Sequence, residues 1–490
     1  NSERTTEVSA GELKAVFNEN QHLLSADAVG NSRATLTPAN AVEYSKVTIA
    51  TPNAIRLSFK GEGLLEKMLT EGRTTINLDV PNGTADAANK RVTADTVRTF
   101  FSNDGKDIQR AEAIGNAELF VEPLTARPEN YRTTINAPRF DCEFFPTGNN
   151  ARECIAAVKT KTVRVPTVPA ADRGTQTITA DRLSSTFSAQ TKDVDTLNAE
   201  GSAKFVELDR NAIADRIGFA KGDEVVRLRG GEPTVWDSRA RARANEIDWD
   251  TKNQKSYLRG GANTTYYSQR STSGATPFAA TDKPVFVTSQ EAEFDHRAET
   301  ARFSGNARGW QENNYVRADQ LLMQQAQGGF FADGNVQSLL YDVKRKENGR
   351  ETSSPVYVSS RKMAYNRDER KIRYETDVDI RQGTDRILGN VANIFLDEKN
   401  ELSRSDVEGN VVITQPNRRA VGDYAQYTAA DENVTLRGNP ARVDDAENGS
   451  SSGGQMTVNL RNNRVVSEGK SRQNVAGRIR SVYKVKPNQP

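Results

Sequence analysis

One stretch of this 490-residue chain is written twice. Val92–Leu119 (VTADTVRTFFSNDGKDIQRAEAIGNAEL) and Ile178–Phe205 (ITADRLSSTFSAQTKDVDTLNAEGSAKF) align without a gap at an offset of 178 − 92 = 86. Asp95/Asp181, Phe101/Phe187, Lys106/Lys192, Ala113/Ala199, Gly115/Gly201 and Ala117/Ala203 are among the identical pairs. A weaker copy near Leu13 carries Ala28, Gly30 and Asn31 in matching places. A finer beat follows. Gly201, Gly230 and Gly260 are spaced by 29 and 30, Gly305 and Gly334 by 29, and Gly409, Gly438 and Gly469 by 29 and 31. The tripeptide Leu-Arg-Gly ends at Gly230, Gly260 and Gly438. Periods of this size predict a stacked array of like units, each covering the apolar face of its neighbour, and not a set of separate globules.

The units read as strands. Ala301, Phe303, Gly305 and Ala307 alternate with Arg302, Ser304, Asn306 and Arg308, and Ile55, Leu57 and Phe59 alternate with Arg56, Ser58 and Lys60. A period of two is a strand with one buried face. Helical spacing is scarce, and Asp, Asn and Gly punctuate nearly every unit as turn formers. A glycine at a strand centre marks a bend or a close approach, and eight in step predict a bend shared by all. Hydrophobic residues make up only 36% and mean hydropathy is −0.71, which suits an elongated fold with a thin core. The expected class is therefore all-β: a repetitive, solenoid-like, V-shaped jellyroll of stacked antiparallel strands. Ser268–Pro284, Lys344–Pro355 and Asp444–Gln455 read as surface loops from their Ser, Gly, Pro and charge content. The chain is expected to divide into residues 1–210, carrying the 86-residue repeat, then 211–345 and 346–490, the last two continuous with each other.

Composition removes several functions. Sixty-seven Lys and Arg stand against 65 Asp and Glu, mixed along the chain, so no basic field points to nucleic acid. No apolar run approaches the ~20 residues of a membrane helix. No signal peptide opens the sequence, so the protein is expected either to be cytosolic or to follow a removed leader or anchor. Catalytic and metal-ligating groups are sparse. His22 and His296 are the only histidines and read as surface residues. Gly449–Gly453 fits G-x-S-x-G, but a nucleophile elbow needs a hydrophobic strand before it and a helix after it. This one sits in a Gly/Ser tract and reads as a flexible loop. Carboxylate pairs suited to glycoside hydrolysis are common by chance among so many acids, and none stands out. No enzyme, cofactor or metal is expected. Cys142 and Cys154 flank a Pro-Thr-Gly-Asn-Asn turn and read either as a disulfide closing a hairpin or as two free thiols.

Binding is the better-supported activity. Phe101, Leu119, Phe187, Phe205, Phe294, Phe303, Leu321, Met323, Ile394, Val411, Ile413, Leu436 and Val458 are the candidates for an inward face. They form either a packed core or an apolar trough able to hold acyl chains.

Arg419–Gly438 (RAVGDYAQYTAADENVTLRG), followed by NPARV and GGQMTVNLRNNRVVSEG, resembles the OstA-like repeat of the periplasmic lipopolysaccharide-transport (Lpt) bridge proteins, of LptA and LptC type. Gly422, Ala425, Tyr427, Leu436, Gly438, Met456, Leu460, Val465 and Gly469 carry the likeness. RILGNVANIFLD at Arg386–Asp397 and DVEGNVVITQ at Asp406–Gln415 repeat parts of it. The likeness is clearest over about Val287–Gly469, and the first ~210 residues are a more divergent, LptC-like form. The resemblance implies a jellyroll whose interior carries the acyl chains of lipopolysaccharide. It implies a periplasmic location, with tethering to the inner membrane by a segment absent from this sequence. Its partners would be lipopolysaccharide and other Lpt components joined through terminal strand edges: an inner-membrane transporter complex and an outer-membrane translocon. Arg478–Val485 (RIRSVYKV) alternates as such an edge would. Two other classes stay open: a structural or adhesive β-repeat protein with a packed interior, and a carbohydrate-active β-solenoid.

Overall fold

The computed structural model describes residues 4–40, 44–81, 87–171, 173–190, 194–267, 278, 283–324, 329–347, 350–398, 402–460, 464–469 and 477–484, with side chains except over 342–353. Two compact units are present, one built from residues 1–238 and 245–253, the other from 239–244 and 254–490.

Both units are sheets of antiparallel strands. In the first, ten short strands run from β1 (Arg4–Ser9) and β2 (Glu12–Phe17) to β9 (Ala88–Ala94) and β10 (Thr96–Phe101). Long strands follow: β11 (Ile108–Pro123), β12 (Tyr131–Phe144), β13 (Ala151–Pro166), β14 (Gln176–Phe187), β15 (Val194–Glu207) and β16 (Arg210–Ala220). The second unit runs in the same way from β21 (Lys255–Tyr266) to β32 (Gly449–Asn459), then β33 (Arg464–Glu468) and β34 (Arg480–Tyr483). The all-β antiparallel fold read from the sequence is the observed one.

Each long strand crosses a corner, and the corner explains the sequence pattern. Apart from the β12–β13 turn at Gly148-Asn149, two successive residues have positive φ at ten places among the described residues, and these are the corners: Gly30-Asn31, Gly115-Asn116, Val158-Lys159, Gly201-Ser202, Gly230-Gly231, Gly260-Gly261, Gly305-Asn306, Gly334-Asn335, Thr376-Asp377 and Gly409-Asn410. Wherever the strand continues through, the register shifts at that point, as between Glu200 and Ala203. Glycine takes the left-handed region without penalty, and asparagine tolerates it better than most residues. At Gly115, Gly201, Gly230, Gly305, Gly334 and Gly409 the neighbouring strand passes the corner without the extra residue and sets a polar side chain against the glycine. A methyl group on Gly115 would stand 2.5 Å from Asp95 Oδ2, and one on Gly201 2.5 Å from Asp181 Oδ2. The repeated pairs Asp95/Asp181 and Gly115/Gly201 are thus two faces of one contact. Asn116 and Asn335 close the corner by donating to Asp95 and Asp319, each at 2.9 Å.

A counting rule follows. In a bulged strand the inward residues flanking the corner are four apart, as Ala113 and Ala117, Ala199 and Ala203, or Phe303 and Ala307. In the intervening strand they are three apart, as Ala94 and Val97, Ala180 and Leu183, or Ala318 and Leu321. The 86-residue repeat is two steps of this kind, since Val158 lies halfway (158 − 115 = 43 and 201 − 158 = 43). Two expectations about glycines change. Gly438 lies at a register shift between Arg437 and Ala441, but it does not have positive φ and is followed by a cis Asn439–Pro440 bond. Gly469 follows the end of β33.

Two of the expected loops are strands. Lys344–Pro355 falls in the hairpin of β25 (Gly329–Glu347) and β26 (Arg350–Asn366), whose pairing runs to Glu347↔Arg350. The Gly/Ser tract at Gly449–Gly453 opens β32, where Ser450, Ser451 and Ser452 pair with Asp444, Val443 and Arg442. Hydroxyls and missing side chains signal loops by composition, yet a strand needs only its backbone to pair. Ser268–Pro284 lies mostly outside the described residues. Phe278 within it is buried, its ring edge-on to Phe330 at 5.4 Å.

Candidate functional site

The corners divide each unit's sheet into two arms, and the inward residues of each arm line up across strands as ladders. In the first unit one ladder reads Val8, Ala34, Ile49, Ile76, Val92, Leu119, Ile135, Thr162, Ile178, Phe205, Ala212 and Val235, each paired with the next. The other arm carries Val97, Ala113, Phe140, Ala156, Leu183, Ala199, Ile217, Leu228 and Ile247. Residues of both arms, Ile135 and Ile178 from one and Phe140, Leu197 and Ile217 from the other, pack on one cluster of small side chains at the corner. Alanine there lets the arms approach. Farther out the side chains are larger and half-exposed, among them Ile76, Val92, Leu119, Ile135, Ile178 and Phe205. The face is apolar, continuous and only partly covered.

The second unit is tighter. Its inner ladder reads Leu258, Ala292, Phe303, Leu321, Ala332, Met363, Tyr374, Ala392, Val407, Ala425, Leu436 and Met456. None of these is more than 5% exposed. Tyr374 OH bonds Ser338 Oγ at 2.9 Å, tying one arm to the other across the interior. Burial pushes the Tyr374 hydroxyl up to about 12, against the bond from Ser338. Phe278 adds cover beside Gly309 and Leu321.

The thirteen predicted inward residues separate accordingly. Phe303, Leu321, Val411, Leu436 and Val458 are buried, whereas Phe101, Leu119, Phe187, Phe205, Phe294, Met323, Ile394 and Ile413 are half-exposed. Leu119 and Phe205 share one ladder. Phe294, Met323, Ile394 and Val458 share another, one step outward from Phe303. Phe101 and Phe187 lie at outer ends of strands in the first unit, where they pair with Ile108 and Val194. Sequence reasoning missed Ile76, Ile135 and Ile178, whose parity with Leu119 and Phe205 emerges only once register is known.

Cys142 and Cys154 are joined, with Cα atoms 4.1 Å apart in directly opposed positions of β12 and β13. They follow Phe140 and precede Ala156 by two residues, so the disulfide lies on the inward face. It stands in register with Ala111 and Ser185.

The rim of the half-covered ladder is polar. Two residues beyond Ile135, Thr162, Ile178 and Phe205, on the same face, stand Thr133, Arg164, Gln176 and Glu207 in register. The Arg164 guanidinium lies 4.3 Å from the centre of the Tyr131 ring and donates to Gln176 Oε1 at 3.0 Å. Burial lowers its pKa; Tyr131 and the Glu207 charge work against that, and the Arg173 charge with it. Among the described residues no three His, Cys, Asp or Glu side chains are grouped to hold a metal ion. His296 bonds Ser256 at the surface (2.8 Å), where Ser256 pairs with Phe294 at the end of the outer ladder.

Fold and faces together define an antiparallel β-repeat protein with a cornered sheet and a continuous apolar inner face. Two stretches, residues 170–255 and 357–464, match the family described as LptA/(LptD N-terminal domain) LPS transport protein. The match supports an Lpt-family protein with a role in lipopolysaccharide transport. The family spans LptA and the N-terminal domain of LptD, so it does not single out a bridge protein of LptA or LptC type. Among solved structures, LptH of Pseudomonas aeruginosa is described as the LptA homologous periplasmic component of the conserved lipopolysaccharide transport device. It is 18% identical over 27% of this chain and 96% of its own, with a TM-score of 0.24. No curated protein matches the chain.

Proposed function

We propose that this chain conveys lipopolysaccharide through the periplasm, with the lipid A acyl chains lying on the half-exposed ladder of the first unit. It acts as a bridge component between inner and outer membrane and performs no catalytic step. The ladder from Val8 to Val235 carries the reading: a row of side chains, apolar but for Thr162, left partly uncovered. Each CH₂ exposed to water costs about 0.8 kcal/mol, so such a row lowers the barrier to moving an acyl chain between membranes. The family match over residues 170–255 supports this reading, since Ile178, Phe205, Ala212 and Val235 fall within it.

Docking to other Lpt components, an inner-membrane complex at one end and an outer-membrane translocon at the other, is assigned to strand edges. β2 is exposed along all six residues and pairs only with β3 (Leu23–Val29) among the described residues. β34, within the predicted edge Arg478–Val485, is exposed along all four of its residues and pairs with β32. Unpaired strand edges accept a further strand.

The closed ladder of the second unit favours a second reading, a structural or adhesive repeat with a packed interior. A photo-crosslinking amino acid at Leu119 or Phe205, with outward-facing Lys204 as control, separates the two. Transport predicts lipopolysaccharide captured at the first two positions and not at Lys204. Capture at none, in cells assembling an outer membrane, refutes transport.

A further inference from the structure

A cation without a direct ion pair stands on the inward face of the first unit. Arg164 projects from β13 at the rim of the Leu119 and Phe205 ladder, and among the described residues no carboxylate lies within ion-pair distance of it. Its contacts are the Tyr131 ring and Gln176 Oε1. A second guanidinium, Arg173, lies over the same ring at 5.0 Å and donates to Tyr131 OH at 3.0 Å; it too has no carboxylate partner. The nearby acid, Glu207, is engaged elsewhere. It takes Arg210 at 3.0 Å, and bonds from Gln176 and the Gly174 amide at 3.3 Å each.

An arginine stays protonated at any physiological pH, so a half-buried pair of guanidiniums sharing one aromatic ring is a standing positive charge, offset at Arg164 only through space by Glu207 and not by a direct pair. A third feature lies about 7 Å inward along β13, two residues away. Thr162 is 5% exposed, and its hydroxyl, within an otherwise apolar ladder, has no hydrogen-bond partner. Buried polar groups are normally satisfied, and an orphan beside an apolar face awaits a partner. Along a few residues of one strand the order is therefore apolar ladder, lone hydroxyl, paired cations. An acylated phosphate has the same order of chemistry: chain, ester or amide, anion.

We propose that Arg164 and Arg173 bind the phosphate of an acylated ligand at the rim of the first unit, with the Thr162 hydroxyl bonding the ester or amide that joins chain to headgroup. The inference rests on the reading that the ladder holds acyl chains. It adds that loading is oriented, headgroup to the rim and chains toward the corner. Guanidinium forks suit phosphate because their bonds are charge-assisted and bidentate.

The test uses the full chain, with lipid A and enzymatically dephosphorylated lipid A in the same detergent, and inorganic phosphate as competitor. Arg164→Gln with Arg173→Gln is expected to weaken binding of lipid A by about tenfold or more and to leave the dephosphorylated form unchanged, with Arg164→Lys restoring part of the loss. The melting temperature is read beside it: the variant loses the Gln176 and Tyr131 contacts, and a purely structural role would show as a lower melting temperature with equal weakening of both lipid forms. Thr162→Val should weaken both forms alike. Equal loss of both forms in the double variant, or no loss of either, overturns the proposal. Displacement of lipid A by inorganic phosphate at equal concentration would make this a free-anion site and overturn the headgroup assignment. Leu119→Gln keeps the two readings apart. If it abolishes binding while the arginine variants do not, the ladder reading stands and the rim site falls. If it changes nothing, the ladder reading itself falls.

Discussion

The corner at Val158 and Lys159 invites a direct test. Eight of the ten corners begin with glycine, whereas this one places a β-branched residue at φ +66° and a lysine at φ +56°. An L-residue in the left-handed region costs roughly 1–2 kcal/mol. Val158 is 64% exposed, so its side chain contributes little burial in return. Val158→Gly relieves that strain and loses about 0.5–1 kcal/mol to the greater freedom of glycine in the unfolded chain, for a net gain of about 0.5–1 kcal/mol. Gly201→Ala is the reciprocal change. It takes on the left-handed cost at φ +79° and sets its methyl 2.5 Å from Asp181 Oδ2 and 2.7 Å from Asp181 Cβ, for a net loss of about 1–2 kcal/mol or more. Asp181→Ala in that background should recover the overlap part alone. Hydrogen exchange on the full chain reads these locally. About 1.4 kcal/mol is tenfold, so amides of β14 to β16 should open about five- to thirtyfold faster or more in Gly201→Ala, and those of β13 about two- to fivefold more slowly in Val158→Gly. Faster exchange in Val158→Gly, or none of the expected change in Gly201→Ala, would refute the view that backbone strain at the corner sets local stability.

Other consequences can be checked in the same way. Reducing the Cys142–Cys154 bond opens a short loop and should cost about 2–3 kcal/mol, seen as faster exchange in β12 and β13 with reductant. Phe303→Ala, at 0% exposure, should cost about 3–5 kcal/mol, and Phe101→Ala clearly less because it is half-exposed; denaturant midpoints will rank them. Burial lifts the pKa of Asp379, but the bonds from Arg381 and Arg386 outweigh it and hold the carboxyl below its ordinary value. A carboxyl lower in the folded state contributes stability above its unfolded pKa and loses it as pH falls below about 4. Asp379→Asn should flatten that acid limb, and an unchanged limb would show that the pair contributes nothing.

Much of the fold was legible because strands announce themselves by alternation and the corners by glycine. Gly201, Gly305 and Gly334 were visible for that reason. Thr376-Asp377 and Val158-Lys159 were not, since nothing in their side chains advertises positive φ, and the missing glycine at Val158 made a 43-residue step look like one of 86. The Gly/Ser tract at Gly449 misled for the opposite reason, its composition being that of a loop although its backbone pairs on both sides. The inward face was half legible. Alternation placed Leu119 and Phe205 on the inside, but it cannot follow a strand past a corner unless the three- or four-residue step is known. Arg164 was invisible because a charged residue in an alternating strand is assigned outward by default, and only register with Gln176 and Glu207 places it within.

The three-and-four step has one more consequence. A bulged strand and its plain neighbour fit each other, since at Gly115, Gly201, Gly230, Gly305, Gly334 and Gly409 the side chain that fills the space above the glycine is carried by the adjacent rung. A single strand cannot be added or lost without setting two like corners side by side. Such a sheet can change length only by whole hairpins, about 10 Å at a time.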